Sequence, residues 1–328
     1  RLAEAAGAFR SAVSLRPDYA SAASALLYTV NLIPDLDTIT VSKEHRRIAD
    51  SLFAQSGQAD PVSNTRFIST LQRGVKEGQP IRLGYVSGDF RAHAVNYFFE
   101  PILKHHDAAL FHVVCYSDTQ KADTTTERLK SLSAGWRDIQ KLSDDEVSRQ
   151  IRDDEIDILI DLSGYTRHNR LGVFAGRAAA VQVTYLGYPA TTGLKNMDFR
   201  IVDSTTVPDH EHDTGSEQLI RLQQVFACFD PPAQAPPIAP SPLTRQGFIT
   251  FGSFHKLEKI NARVVELWSR LLKRIPGSRL LLVRDNLDDW QQQRLQKAFE
   301  VAGIEPERIE MRQWRSSEGS FLELFEEI

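Results

Sequence analysis

The stretch "IRLGYVSGDF" at residues 81–90 sets the architecture of the chain. It is a short apolar run that stops at a glycine and an aspartate, and a patterned helical stretch follows from about Val95 to His105. The same unit recurs downstream. Phe111–Ser117, "DILIDLSG" (157–164), "VQVTYLGY" (181–188) and "DFRIVD" (198–203) read as strands. Helices are expected near Thr125–Trp136 and Asp144–Arg152. Continuous apolar strands alternating with amphipathic helices specify a parallel sheet covered on both faces.

"DPPAQAPPIAPSPLTRQG" (230–247) is proline-rich and stiff, and reads as an interdomain linker. The alternation then restarts with "FITFGSF" (248–254), a helix Ala262–Ile275, "SRLLLVR" (278–284), a helix Asp288–Ala302, "RIEMRQW" (308–314) and a last helix from about Ser316. Two β/α units joined by such a linker predict an α/β protein with two Rossmann-like domains, 80–229 and 248–328. The second holds about three strands. The chain opens on Arg1 and stops within "FLELFEEI" (321–328), so both ends read as cuts.

Upstream of 81 the texture is helical. Ala5, Phe9, Ala12, Val13 and Leu15 follow helical spacing, and Pro17 closes that helix. Residues 20–32 and 42–56 continue the pattern, and "GQADPVSNTR" (57–66) is a polar break. Small residues every third or fourth place let a neighbouring helix approach closely. Alanine, aromatic, alanine, then L-x-P fits helix B of a tetratricopeptide repeat, and equally a lone amphipathic helix packed on the domain behind it.

Composition excludes several classes. The 328 residues are 41% hydrophobic and 25% charged with a net charge of −4, which gives no electrostatic reason to bind nucleic acid or an anionic membrane. No apolar run approaches the length of a membrane span. Cys115 and Cys228 both lie in apolar, strand-like surroundings and read as buried thiols of a reducing compartment.

Ligands of open α/β sheets bind beyond the carboxyl ends of the strands. After the first strand, Gly88 and Asp89 turn the chain and His93 precedes a helix, where the dipole favours a neutral ring able to accept a proton; a capping or merely exposed histidine is the plainer reading. Asp161, Tyr165 and Thr166 lie on the exit loop of "DILIDLSG", where turn chemistry is the simple alternative. Gly187 and Gly193 bracket Tyr188, Pro189, Thr191 and Thr192, a loop that lets backbone amides approach a ligand. In the second domain His255, Lys256 and Lys259 precede a helix that Asn261 can cap, an arrangement suited to phosphate. Neither G-x-x-x-x-G-K-[ST] nor G-x-G-x-x-G occurs. "DHEHD" (209–213) lacks helical ligand spacing and "KHHD" (104–107) ends a helix, so no metal site is expected.

"IRLGYVSGDFRAHAV", "DILIDLSGYTRHNRL", "VQVTYLGYPATTG" and "FGSFHKLEKIN", in this order and spacing, resemble the catalytic region of the O-linked N-acetylglucosamine transferases, their bacterial relatives and the SPINDLY-type proteins. The resemblance covers essentially the whole chain. It implies a GT-B fold preceded by tetratricopeptide repeats, with residues 1–32 as the last repeat helices and 33–79 as a helical adaptor. His93 would match the histidine after the D-F motif, a base or substrate-orienting group. Lys259 would match the lysine that contacts the nucleotide diphosphate, and Gly187, Tyr188 and Pro189 the loop on the sugar and acceptor side. Tyr165 stands where many bacterial relatives have histidine, and His255-Lys256 replaces the more usual amide residues. The implied reaction is inverting transfer of N-acetylglucosamine from UDP-GlcNAc to Ser or Thr hydroxyls of proteins held by the repeats. It needs no metal or other cofactor and takes place in the cytoplasm. GDP-fucose as donor, or a non-catalytic scaffold with a degenerate transferase fold, stays open. The family's Thr-rich phosphate-binding turn and ribose-binding acid do not follow Ile328, so residues 1–328 alone are expected to transfer no sugar.

Overall fold

A computed structural model describes residues 2–54, 78–208, 214–232, 235–314 and 321–328. The polar break at 57–66, "DHEHD" and the expected start of the last helix at Ser316 lie outside them. The chain divides into two compact units, residues 1–230 and 231–328.

The first unit begins with three helices, α1 (Leu2–Leu15), α2 (Ala20–Val30) and α3 (Thr38–Leu52). Ala6, Ala22 and Ala23 are buried, so α1 and α2 pack closely. Asp37 caps α3, its carboxylate accepting from the Thr40 amide at 2.7 Å. The α/β part follows with β1 (Ile81–Ser87), α4 (Asn96–His105), β2 (Phe111–Ser117), α5 (Thr124–Leu132) and β3 (Gly135–Asp138). It continues through α6 (Asp144–Asp153), β4 (Ile158–Asp161), α7 (Leu171–Ala175), β5 (Val181–Thr184), β6 (Phe199–Asp203) and β7 (Gln218–Leu222).

Among the described residues these strands form one parallel sheet in the order β3-β2-β1-β4-β5-β6-β7. Alternation along each strand feeds two cores. Leu83, Tyr85, Val113, Cys115, Ile160 and Val183 point to the face that also buries Phe99 of α4 and Leu129 of α5. Val86, Val114, Tyr116 and Leu159 point to the other face and join one cluster with Leu26 and Leu27 of α2, Ile48 of α3 and Phe174 of α7. The N-terminal helices therefore share their core with the sheet.

The second unit holds α8 (Pro242–Gln246), β8 (Thr250–Ser253), α9 (Ala262–Arg274), β9 (Arg279–Arg284), α10 (Asp289–Val301) and β10 (Ile309–Gln313). Its parallel sheet runs β10-β9-β8 over a core of Leu272, Leu280, Leu282, Leu295 and Phe299. Residues Phe321–Glu327 are a tight 3-10 helix.

Three expectations are corrected. The helix expected near Thr125–Trp136 ends at Leu132, and Trp136 belongs to β3, paired with Cys115. Extended Ser133 and then Gly135 end the helix and let the chain join the sheet edge. The edge strand β7 had no place in the sequence reading. Cys228 is exposed rather than buried, because it lies beyond β7 in the extended segment that leaves the sheet, whereas Cys115 is wholly buried in β2.

Candidate active site

Strand order reverses between β1 and β4. The chain moves from β1 out to β2 and β3, then returns to β4 on the other side. The crevice beyond the carboxyl ends of β1 and β4 is the position where such sheets bind ligands. Residues 88–95 leave β1 there, residues 162–170 leave β4, and residues 185–193 leave the adjacent β5.

His93 lies in the β1 exit, two residues before Val95, the N-cap of α4. Its Nδ1 is 3.7 Å from Asp89 Oδ2 and 3.4 Å from the Val95 amide, and its side chain is about one-third exposed. Asp89 also pairs with Arg91 at 3.1 Å, and the Asn96 amide group donates to the carbonyls of Asp89 and Arg91. Asp123, the cap of α5, accepts from the Ala92 amide at 2.7 Å and anchors the far side of the loop. The Gly88 amide donates to Ser163 Oγ at 3.4 Å, joining the β1 and β4 exits.

Asp161 ends β4 and is buried. Its carboxylate accepts from the amides of Ser163 and Gly164 and from Thr184 Oγ1 at 2.8–3.1 Å. Burial nevertheless pushes its pKa up to about 6, with those donors opposing the rise. Tyr165 is buried and its hydroxyl donates to the Thr192 carbonyl at 2.7 Å, linking the β4 and β5 exits. Thr166 is half-buried and donates to the Ser163 carbonyl.

In the β5 exit, Gly187 is pressed against β4's own exit: a Cβ there would lie 1.9 Å from the Leu162 carbonyl oxygen. Pro189 is exposed. Tyr188 turns away from solvent into the N-terminal helices. Its hydroxyl is 2.7 Å from His45 Nε2 and 2.7 Å from Asn31 Nδ2. Thr191 and Thr192 are buried on Glu217, whose carboxylate accepts from Thr191 Oγ1 and the Thr192 amide, both at 2.6 Å, and from Thr192 Oγ1 at 2.5 Å.

The remaining candidates are in the second unit. Between β8 and α9, residues Leu257–Lys259 make one 3-10 turn, and His255, Lys256 and Lys259 are exposed. Ser253 Oγ is 3.2 Å from His255 Nδ1. Asn261 caps α9, accepting from the Val264 amide at 3.1 Å, so Lys259 stands two residues before a capped helix start. That is a favourable place to hold an anion.

Sequence reasoning passed over His45, Asn31 and Glu217. His45 is fully buried on α3, and burial lowers its pKa; the Val41 carbonyl, Glu217 and Glu44 oppose the fall while Arg200 adds to it. One signal was present. His45 sits in the apolar stripe Val41, Ile48, Leu52 of an otherwise charged helix, a position where a histidine must be buried and bonded.

Glycosyl transferase family 41 matches residues 62–233. The chain belongs to glycosyl transferase family 41. The family 41 match covers β1, β4, β5 and their exit loops. Over 238 residues the chain is 42% identical to a Solanum lycopersicum protein named as a probable UDP-N-acetylglucosamine–peptide N-acetylglucosaminyltransferase SPINDLY; these are 71% of this chain and 26% of that protein. It is 30% identical over 239 residues to the Arabidopsis thaliana protein named SEC, or 70% of this chain and 24% of that one. The chain thus spans about a quarter of the length of these curated relatives. A mutant of the Thermobaculum terrenum O-GlcNAc transferase superposes with a TM-score of 0.83 at 33% identity, over 95% of this chain and 57% of that one. The fold class is α/β of the GT-B type.

Among the described residues no three His, Cys, Asp or Glu side chains group to hold a metal, and no helix is long and apolar enough to cross a membrane.

Proposed function

We propose that this chain is the catalytic region of an inverting glycosyltransferase that moves N-acetylglucosamine from UDP-GlcNAc to Ser and Thr hydroxyls of proteins. The observation that carries the reading is the match of family 41 to residues 62–233, the segment that builds the β1/β4 switch point.

The resemblance suggests the roles, and the placement of the residues supports them. His93, held beside Asp89 at the head of α4, takes or orients the hydroxyl proton of the acceptor, a contribution of roughly 10²–10⁴-fold. The β5 exit around Gly187, Tyr188 and Pro189 shapes the sugar and acceptor side; Tyr165 and Thr191 hold it in shape, and Asp161 and Thr166 brace the neighbouring β4 exit. Lys259 and the amides at the start of α9, with His255 and Lys256 beside them, take the charge that grows on the departing diphosphate. Such preorganised donors are worth about 3–4 kcal/mol each. No cofactor enters this scheme; the nucleotide sugar is a substrate. Residues 1–32 would be the last helices of a tetratricopeptide-like repeat region that holds acceptor proteins, and 33–79 the adaptor. The close α1–α2 packing supports that reading. A cytoplasmic location, with neither membrane nor nucleic acid as partner, accompanies it.

A second donor belongs in the test. Identity is 42% to the SPINDLY-type relative against 30% to the SEC-type one, which favours the branch where the resemblance leaves GDP-fucose open. Radiolabelled UDP-GlcNAc and GDP-fucose, offered separately to the full-length protein with acceptor polypeptides, separate the readings. Label transferred from UDP-GlcNAc is expected. Transfer from GDP-fucose alone reassigns the donor, and transfer from neither leaves the scaffold reading.

A further inference from the structure

The Tyr188 hydroxyl lies in a relay, buried at His45 and Tyr188 and half-buried at Asn31, whose protons can all be assigned. His45 Nδ1 is 2.7 Å from the Val41 carbonyl, which can only accept, so Nδ1 carries a hydrogen. Full burial keeps the ring neutral, so Nε2 carries none and accepts. The Tyr188 hydroxyl, 2.7 Å away, therefore donates to Nε2, and its oxygen accepts from Asn31 Nδ2 at 2.7 Å. Asn31 also donates to the Leu27 carbonyl at 2.8 Å, which fixes its amide. The rings close the arrangement: Tyr165 meets His45 edge-on at 5.8 Å and Tyr188 edge-on at 5.7 Å between centroids.

The same residue of α3 meets this loop a second time. Gly193 has φ +72°, and a Cβ there would lie 2.6 Å from the His45 carbonyl carbon. One residue thus meets the β5 exit at two points, by its side chain at Tyr188 and by the close approach of its backbone to Gly193. Between those points lie Pro189, which is exposed, and Thr191 and Thr192, which are tied to Glu217.

We propose that His45 is a positioning residue for the transfer reaction: as a neutral hydrogen-bond acceptor on α3 it fixes the β5 exit loop, residues 185–193, through the Tyr188 hydroxyl. The kinetic part rests on the transferase reading; the structural part does not. His45 touches no reacting atom. It acts through the placement of a loop whose backbone lines the sugar and acceptor side, where a displacement of about 1 Å costs about 10²-fold in rate.

The test uses the full-length protein with Tyr188→Phe, which removes one oxygen, His45→Leu, the double variant, and His45→Gln, whose amide oxygen can accept the same proton. Hydrogen exchange of the segment 185–193 is expected to accelerate in Tyr188→Phe and His45→Leu, with 81–87 unchanged. Turnover is expected to fall about 10- to 100-fold while the KM for the nucleotide sugar stays within about twofold. Because both groups act through one hydrogen bond, the double variant should lose no more than the worse single variant, and His45→Gln should recover most of the loss. Unchanged exchange in the loop overturns the proposal whatever the activity. So do additive losses, or a loosened loop with normal turnover. Should the wild-type protein transfer no sugar, the transferase reading fails by itself, and the exchange measurements still decide whether His45 holds the loop.

Discussion

His93, Thr166 and Pro189 apart, the two units present their candidate residues in opposite ways. In the first, Asp161, Tyr165, Tyr188, Thr191 and Thr192 are buried and engaged with one another or with Glu217 and the N-terminal helices. In the second, His255, Lys256 and Lys259 stand exposed on a single turn before α9. Buried, fully bonded polar groups set geometry, and exposed cations at a helix start carry charge. Substitutions in the two places should therefore separate activity from stability.

The largest expected effect is on Lys259. Lys259→Ala in the full-length protein should lower turnover by about 10²–10³-fold, the loss typical of one donor to developing negative charge. Its thermal midpoint should not change, since substitutions of exposed side chains away from packed features stay within about 0.5 kcal/mol. Lys259→Arg should recover little, because a planar fork does not replace a compact ammonium at close quarters. Steady-state kinetics with the nucleotide sugar varied check this. Near-normal turnover in the alanine variant would make Lys259 a solvated surface lysine and remove the second half of the comparison.

Gly187→Ala is the opposite case. A methyl group 1.9 Å from the Leu162 carbonyl oxygen must push the β4 and β5 exits apart. The expected cost is about 3 kcal/mol, the upper end for overpacking. It would appear as faster exchange throughout 158–193 and a lowered melting transition, with activity lost as a consequence. A variant that is inactive with undisturbed exchange would show that the β5 exit works by direct contact and not by shape.

Much of the fold behind this contrast was legible in the sequence, and what escaped has physical reasons. The strands β1, β2, β4 and β5 announce themselves because strands covered on both faces are predominantly apolar, with few polar residues among them. "GWRD" of β3 is four residues long and carries no such run, so it was absorbed into the preceding helix. "QLIRL" of β7 is an edge strand with mostly exposed side chains. The exit loops could be found from the strand ends, because ligand position follows topology. What each side chain does there could not. Tyr188 and His45 are 143 residues apart, and a pair bond at that separation leaves no periodicity to read. The same holds for Thr192 and Glu217, where only the fold reveals that loop formers are anchored to a buried carboxylate.

The smallest expected effect tests whether burial or hydrogen bonding governs Asp161. Three donors hold its carboxylate, which by itself favours the charged form, yet burial outweighs them and raises the pKa from the ordinary 3.8 to about 6. The folded state then binds a proton more readily than the unfolded chain. The stabilisation linked to that proton is complete below about pH 3.8 and is lost as the pH rises through about 6. Going from pH 7 to pH 5 should therefore strengthen β4 and its exit by about 1 kcal/mol through this group alone. Asp161→Asn keeps an acceptor for the Ser163 and Gly164 amides and cannot titrate, so it should lack that gain. Native-state hydrogen exchange of the segment 158–164, compared between wild type and Asp161→Asn at each pH, isolates the contribution because intrinsic exchange rates cancel. A wild-type advantage that grows on acidification supports burial as the governing force. An advantage that shrinks means the donors dominate, the carboxylate stays charged down to pH 5, and the β4 exit presents a fixed negative charge across that range beside the loop that His45 holds.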